Sequence, residues 1–388
     1  YYSSSEEDSE RKMALIIEGH RPFFEALGRF VRFGPPRRYV TFVKGNHDVN
    51  LHWTGVQRRI REATGTTGRR APLLGFEERR IIRDGIYVEH GSQYALGLDR
   101  VEDMEEPHDH DKPGQLAIPP GSWFVMDVFS EVERDKYWID GVKPITALVW
   151  YALAYDFRFA ARAIATLLRA LPGILDEIVF APEESHADGL ANVLEDPDQV
   201  AELAARYETD EEFRAAFNAE VAGLLSPLEG PDAIAFAPES VPDPVVKGDQ
   251  IRETVNSALF EMAKIRAAEE GVKLVTFGHT HDAVEEELPE GGLYINSGTW
   301  TWLADFSGAD KETWRDLFEH PERFTNDRRL SYARIDYDQA GEPQGRLMAY
   351  EPDASPAPED ETEDPPLSLW DRFVAWVKGL WAKIAGNQ

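Results

Sequence analysis

Three short apolar runs each end in a polar turn that carries histidine. Residues 39–43 (Tyr-Val-Thr-Phe-Val) run into Lys44-Gly45-Asn46-His47-Asp48, residues 86–88 into Glu89-His90-Gly91, and residues 274–277 into Gly278-His279-Thr280-His281. Residues 293–295 form a fourth run of the same kind. Strands with so little polar alternation belong in a sheet covered on both faces, and such sheets are parallel. Parallel strands need long crossovers, usually helical, which confines the chain to the α/β class. Ligands of open α/β sheets bind beyond the carboxyl ends of the strands. The three turns should therefore bring His47, His90, His279 and His281, with the Asn46 carbonyl, to one place.

The donors restrict the chemistry. Cysteine is absent, which excludes a disulfide scaffold, a thiolate zinc site and a cysteine nucleophile. Imidazole with oxygen donors suits manganese, iron, nickel or zinc in a hydrolytic centre. Chance is a poor explanation. With 29 glycines and 10 histidines in 388 residues, Gly-His-x-His is expected about 0.02 times from composition alone. The net charge of −30 repels a phosphate backbone and argues against nucleic acid as a general partner. A phosphate ester remains open as a substrate if bound cations cancel the local repulsion.

Along the chain, residues 1–12 are polar and read as loop or fraying helix. Residues 13–33 carry apolar side chains at helical spacing and stop at Gly34-Pro35-Pro36. Helical patterns dominate between the second and third strands, strongest over 147–171 and 199–225, so residues 121–246 read as a helical insertion or cap. It divides an α/β domain into parts 1–120 and 247–351. Residues 251–270 form a helix leading into the strand at 274. Residues 329–337 and 346–350 read as closing strands. Residues 352–366 hold five prolines and six acids, a linker composition. A last amphipathic helix occupies 367–388.

These turns resemble the calcineurin-like metallophosphoesterases, whose ordered blocks include Gly-Asn-His-Asp/Glu, a lone His, and Gly-His-x-His. They stand here as Gly45 to Asp48, His90, and Gly278 to His281. Asn296-Ser297-Gly298-Thr299-Trp300 is similar to the Asn-x-Gly-x-Trp segment that follows in many members. The resemblance implies a four-layer α/β/β/α sandwich with a helical insertion, and a dinuclear hydrolase of phosphomonoesters, phosphodiesters or pyrophosphates. It implies two divalent metal ions in the complete protein, manganese foremost, with iron, zinc or nickel as alternatives. Asn46, His90 and His279 would ligate one metal and His281 the other. His47 would stabilise the transition state or protonate the leaving oxygen, and Asp48 would orient His47. The family's Asp-x-His and Gly-Asp blocks do not precede Gly45. The sandwich is thus expected to be N-terminally incomplete, or else the chain is a non-catalytic binding or scaffold protein that retains the fold. Tyr87-Val88-Glu89-His90-Gly91 and the large insertion resemble the UDP-diacylglucosamine hydrolase branch, which implies a nucleotide-lipid substrate.

No start resembling a signal peptide is present, and no apolar run is long enough to span a bilayer, so a cytoplasmic location is expected. In the last helix, Trp370, Phe373, Val374, Val377, Leu380, Trp381 and Ile384 make one apolar face, with Arg372, Lys378 and Lys383 beside it. That pattern suits contact with the inner face of a membrane, with a partner protein, or with the chain's own domain. His108 and His110, in an acidic run, are metal-competent, but such runs are more often solvated loops. His20 and His52 carry no spacing argument. Trp300 and Trp302 read as packing residues at the rim of the site.

Overall fold

A computed structural model describes residues 3–94, 99–143, 145–175, 192–225, 244–306, 308–326, 328 and 330–350. The expected helix over 13–33 is two helices, Glu6–Gly19 and Arg21–Arg32, broken at His20. Pro22 accounts for the break: it lacks an N–H for the ladder, and its ring is tolerated only in a first turn. The first helix starts early because Ser5 caps it. The Ser5 side chain accepts the Asp8 N–H, and Glu6, Glu7 and Asp8 fill the turn where the helix dipole favours acids.

The strands are β1 (Val40–Val43), β2 (Leu74–Glu77), β3 (Arg80–Arg83), β4 (Ile86–Glu89), β5 (Val142–Lys143), β6 (Leu274–Phe277), β7 (Ala283–Leu288), β8 (Gly292–Ser297), β9 (Ala304–Asp305), β10 (Ser331–Tyr337) and β11 (Pro343–Ala349). The fold is mixed α/β. Five strands form the main sheet in the order β3-β4-β6-β8-β7. β4, β6 and β8 are parallel, and both edges are antiparallel. β1 departs from expectation, because it pairs in parallel with β2 in a separate two-stranded sheet. A core of Phe24, Leu51, Val56, Ile60 and Leu74 lies beneath that pair, whereas Thr41 is exposed. Its apolar sequence therefore reflects burial on one side only.

The main sheet is covered on both faces. The Pro244–Glu270 helix lays Leu259 and Ala263 on Tyr87, Val275, Phe277 and Tyr294. The β10–β11 hairpin packs on the other face, where Gly345 lies so close that a Cβ there would meet the Leu274 side chain at 2.1 Å. Full burial of side chains such as Val275 and Ile295 contributes about 1.5–3 kcal/mol each. This sandwiching is what fixes the carboxyl ends of β4 and β6.

The expected helical region contains the Ile145–Tyr155, Phe157–Leu175, Pro197–Thr209 and Glu211–Leu225 helices. Their core is not self-contained. It takes in Ala304, Phe306, Trp314 and Leu317 from the later chain. Tyr151 stacks on Trp314 with ring centroids 4.4 Å apart, and β5 pairs with β9. No helix among the described residues is long and apolar enough to cross a membrane. The linker at 352–366 and the helix at 367–388 lie outside the described residues.

Candidate metal centre

The three turns do converge. Although β1 lies outside the main sheet, its following turn packs directly on His90. A Cβ at Gly45 would fall 2.6 Å from the His90 ring, so only glycine permits this approach. Gly91 follows at φ +103°, a conformation glycine adopts freely. Gly278 N–H donates to the His90 carbonyl at 2.9 Å, and the His90 and His279 rings stand 5.3 Å apart, steeply tilted.

The Gly278–His281 turn is strained. His279 has φ +72° and His281 φ +63°, both in the left-handed region that side chains avoid. Such residues cost about 1–3 kcal/mol each and persist where their surroundings hold them. Asn296, fully buried at the end of β8, supplies the hold. Its Nδ2 donates to the Gly278 carbonyl and to Thr280 Oγ1, both at 2.9 Å, while its Oδ1 accepts the Gly298 N–H at 3.1 Å. This gives the Asn296-to-Trp300 segment a physical role. Trp300 itself is exposed and stacks on Tyr350, and Trp302 packs its ring against Gly141.

Asn46 is buried, and its amide sits in a closed set of contacts. Nδ2 lies 3.2 Å from Asp99 Oδ1 and 3.3 Å from His47 Nε2. Ser122 Oγ lies 2.8 Å from the Asn46 carbonyl and 2.9 Å from His47 Nδ1. One assignment satisfies all four. Ser122 donates to the carbonyl, His47 donates from Nδ1 to Ser122, and the Asn46 amide donates to both Asp99 and His47 Nε2. Asn46 Oδ1 is then the atom left over, buried and without a hydrogen-bond partner; His90 Nδ1 is buried and unpartnered as well. Unmet buried acceptors of this kind cost about 1–3 kcal/mol each. They suit a cation.

Burial pushes the His90 imidazole down to about 3 and His279 to about 4, with the neighbouring histidines adding to the effect. Both rings are therefore neutral near pH 7, the state in which imidazole ligates metals. Asp99 Oδ2 lies 3.7 Å from His279 Nε2. His281 is exposed on the same turn. The donor set that meets here (amide oxygen, imidazoles, one carboxylate) fits a divalent ion of the manganese-to-zinc series. It is open rather than collapsed. Among the described residues, the one group of three His, Asp or Glu whose donor atoms lie within 4.8 Å of one another is elsewhere, at His52, Glu106 and His108.

Asp48 does not orient His47. Its Oδ1 accepts the Gly45 N–H at 2.5 Å and so closes the turn, and Ser122 occupies the place beside His47 Nδ1. The reason is local hydrogen bonding: in a tight turn an Asp carboxylate readily accepts a backbone N–H of that same turn, here that of Gly45. Ser122, Asp99 and Lys143 are the residues that sequence reasoning missed. Lys143 acts electrostatically on His279, His281 and Asp99. None of the three has a motif around it, and Ser122 and Lys143 arrive from the helical region. Only the polar character of 99–111 hinted at Asp99.

Beneath His90, Glu89 is buried and paired with Arg79 at 2.8 Å. The Tyr87 and Tyr94 hydroxyls donate to its other oxygen, and Arg266 donates to Tyr94. This network anchors the end of β4.

No protein-family model, curated protein or solved structure matches the chain.

Proposed function

We propose that the chain is a metal-dependent phosphoesterase, with the layers observed here forming part of a metallophosphoesterase sandwich. The observation that carries this reading is the buried, partnerless Asn46 Oδ1, on a side chain whose Nδ2 donates to Asp99, which in turn faces His279. Asn46, His90, His279 and His281 would hold the metal, with Asp99 as the nearby carboxylate. When bound, such ions activate water and polarise phosphoryl oxygens. His47 carries its proton on Nδ1 and is held neutral by burial, which lowers its proton affinity. If the Asn46 amide turns from Nε2, that nitrogen would take up a proton and present a positive N–H to a phosphoryl or leaving oxygen. Lys143 adds positive charge to a strongly acidic protein at the place where a phosphate dianion would approach. Ser122 and Lys143 bring the helical region to the site, which supports a substrate that also contacts that region, such as a nucleotide-lipid.

The open donor set favours a second reading: a non-catalytic phosphate-binding or scaffold protein. One experiment separates the two. Hydrolysis of bis(p-nitrophenyl) phosphate in Mn²⁺ should be measurable and silenced by chelator. His47→Ala should lower it by roughly 10²–10⁴ without loss of bound metal. Absence of turnover with metal bound favours the scaffold, and loss of metal in His47→Ala would make His47 a ligand.

A further inference from the structure

A second cluster of metal-competent side chains lies outside the centre described above. His52 ends the single 3-10 turn Val49–His52 that follows the Gly-Asn-His-Asp segment. Glu106 and His108 stand on the loop that follows Asp99. One donor atom from each of the three lies within 4.8 Å of the others. We propose that His52, Glu106 and His108 form a separate site for a zinc-class transition-metal ion, which pins the 99–118 loop to the turn after β1.

The donors are held in place by contacts that do not depend on an ion. His52 Nδ1 faces Glu78 Oε2 at 3.1 Å and Lys44 Nζ at 3.4 Å, and Lys44 and Glu78 form an ion pair. That leaves His52 Nε2 for coordination, and a carboxylate on the far nitrogen is the usual backing of a ligating imidazole. The Lys44 charge is offset by Glu78. The His108 ring stands 5.1 Å from the His52 ring, nearly perpendicular, and 5.7 Å from Trp53. Its backbone is fixed by a bridge to Leu116, by Asp109 N–H to the Gln115 carbonyl and by Ala117 N–H to the Pro107 carbonyl. Val101, Met104 and Leu116 bury themselves against Val49, so both sides of the gap are anchored.

Charge and access favour an ion. Residues 101–111 contain six acids and no Lys or Arg, and Glu106 and His108 are exposed to arriving metal. His108 Nε2 and Glu106 Oε2 are 3.6 Å apart, close to the spacing of two ligands on one ion and beyond a good hydrogen bond. Two imidazoles and a carboxylate with a fourth position open is a zinc-type set. It is too nitrogen-rich for Mg²⁺ or Ca²⁺. His110 is not part of the group.

The two sites can be told apart in the full chain. In a His279→Asn/His281→Asn variant, asparagine accepts the left-handed φ and the first centre loses two imidazoles. After chelator stripping, this variant should still bind one Zn²⁺, measured by titration calorimetry and elemental analysis. Adding His108→Ala should weaken that binding by more than about 100-fold. Should the double variant not fold, His108→Ala in the parent chain must lower Zn²⁺ stoichiometry by one. Amide exchange over 102–112 should slow with Zn²⁺ unless His108 is replaced. Zn²⁺ binding indifferent to His108→Ala, or no binding once the first centre is disabled, would overturn the site; unchanged exchange would overturn the pinning.

Discussion

Asn46 shows how much a single side chain can report. Its two N–H groups are used by Asp99 and His47, so its oxygen is fixed in identity and left without a partner. Ser122 makes that assignment possible by accepting from His47 Nδ1 and donating to the Asn46 carbonyl. Ser122→Ala should therefore free the His47 ring and lower turnover by about tenfold, the worth of roughly one hydrogen bond, while bound metal stays constant. Steady-state assay alongside elemental analysis checks both halves. Glu89 makes a different prediction, of stability. Arg79→Ala would strand a buried carboxylate that two tyrosine hydroxyls only partly satisfy. Breaking such a pair costs about 3–5 kcal/mol. Urea denaturation should show a loss at the low end of that range.

At the scale of elements, the Gly278–His281 turn is held from β8 and not from its own strand. Asn296→Ala removes two bonds that keep His279 and His281 at positive φ. It should weaken metal binding by about 10–100-fold, as loss of groups behind a ligand typically does, with the far-ultraviolet circular dichroism unchanged; calorimetric titration reads the effect. The interior strands β4, β6 and β8 were legible as apolar runs because helix and hairpin cover both their faces. β7, with Glu285, Glu286 and Glu287 in sequence, was not, because an edge strand needs apolar residues on only part of its surface. The β3–β4 hairpin turns at Asp84-Gly85, both at positive φ; that dipeptide is a readable hairpin signal. β1 misled, since an apolar run says that a strand is buried but not which sheet buries it. In the same way, Asn46 to Asp48 and His279 to His281 were visible because they are contiguous. Ser122, Asp99 and Lys143 reach the centre only through tertiary packing, and no spacing in the sequence encodes that.

On the scale of the molecule, three parts meet at the site: the main sheet with its covering helix and hairpin, the β1–β2 pair with its own core, and the helical core that also takes in Phe306 and Trp314. His90, His279 and His281 come from the first, Asn46 and His47 from the turn after β1, and Ser122 and Lys143 from the helical region. A strongly acidic protein whose centre holds neutral imidazoles, with Asp99 and Lys143 offsetting each other, should bind phosphate esters weakly until metal is added. Residues 367–388 lie outside the described residues, and their sequence spacing carries its own prediction. Deleting them should abolish sedimentation with vesicles, with weak salt dependence because apolar burial drives it, and leave hydrolysis of a small soluble ester intact. The central claim is that Asn46, His90 and His279 hold a divalent ion. Electron paramagnetic resonance of Mn²⁺ titrated into the full chain tests it most directly. Bound Mn²⁺ should disappear in Asn46→Ala and in His90→Ala and persist in His108→Ala. Mn²⁺ binding that survives Asn46→Ala and His90→Ala, or that is absent from the parent chain, would contradict it.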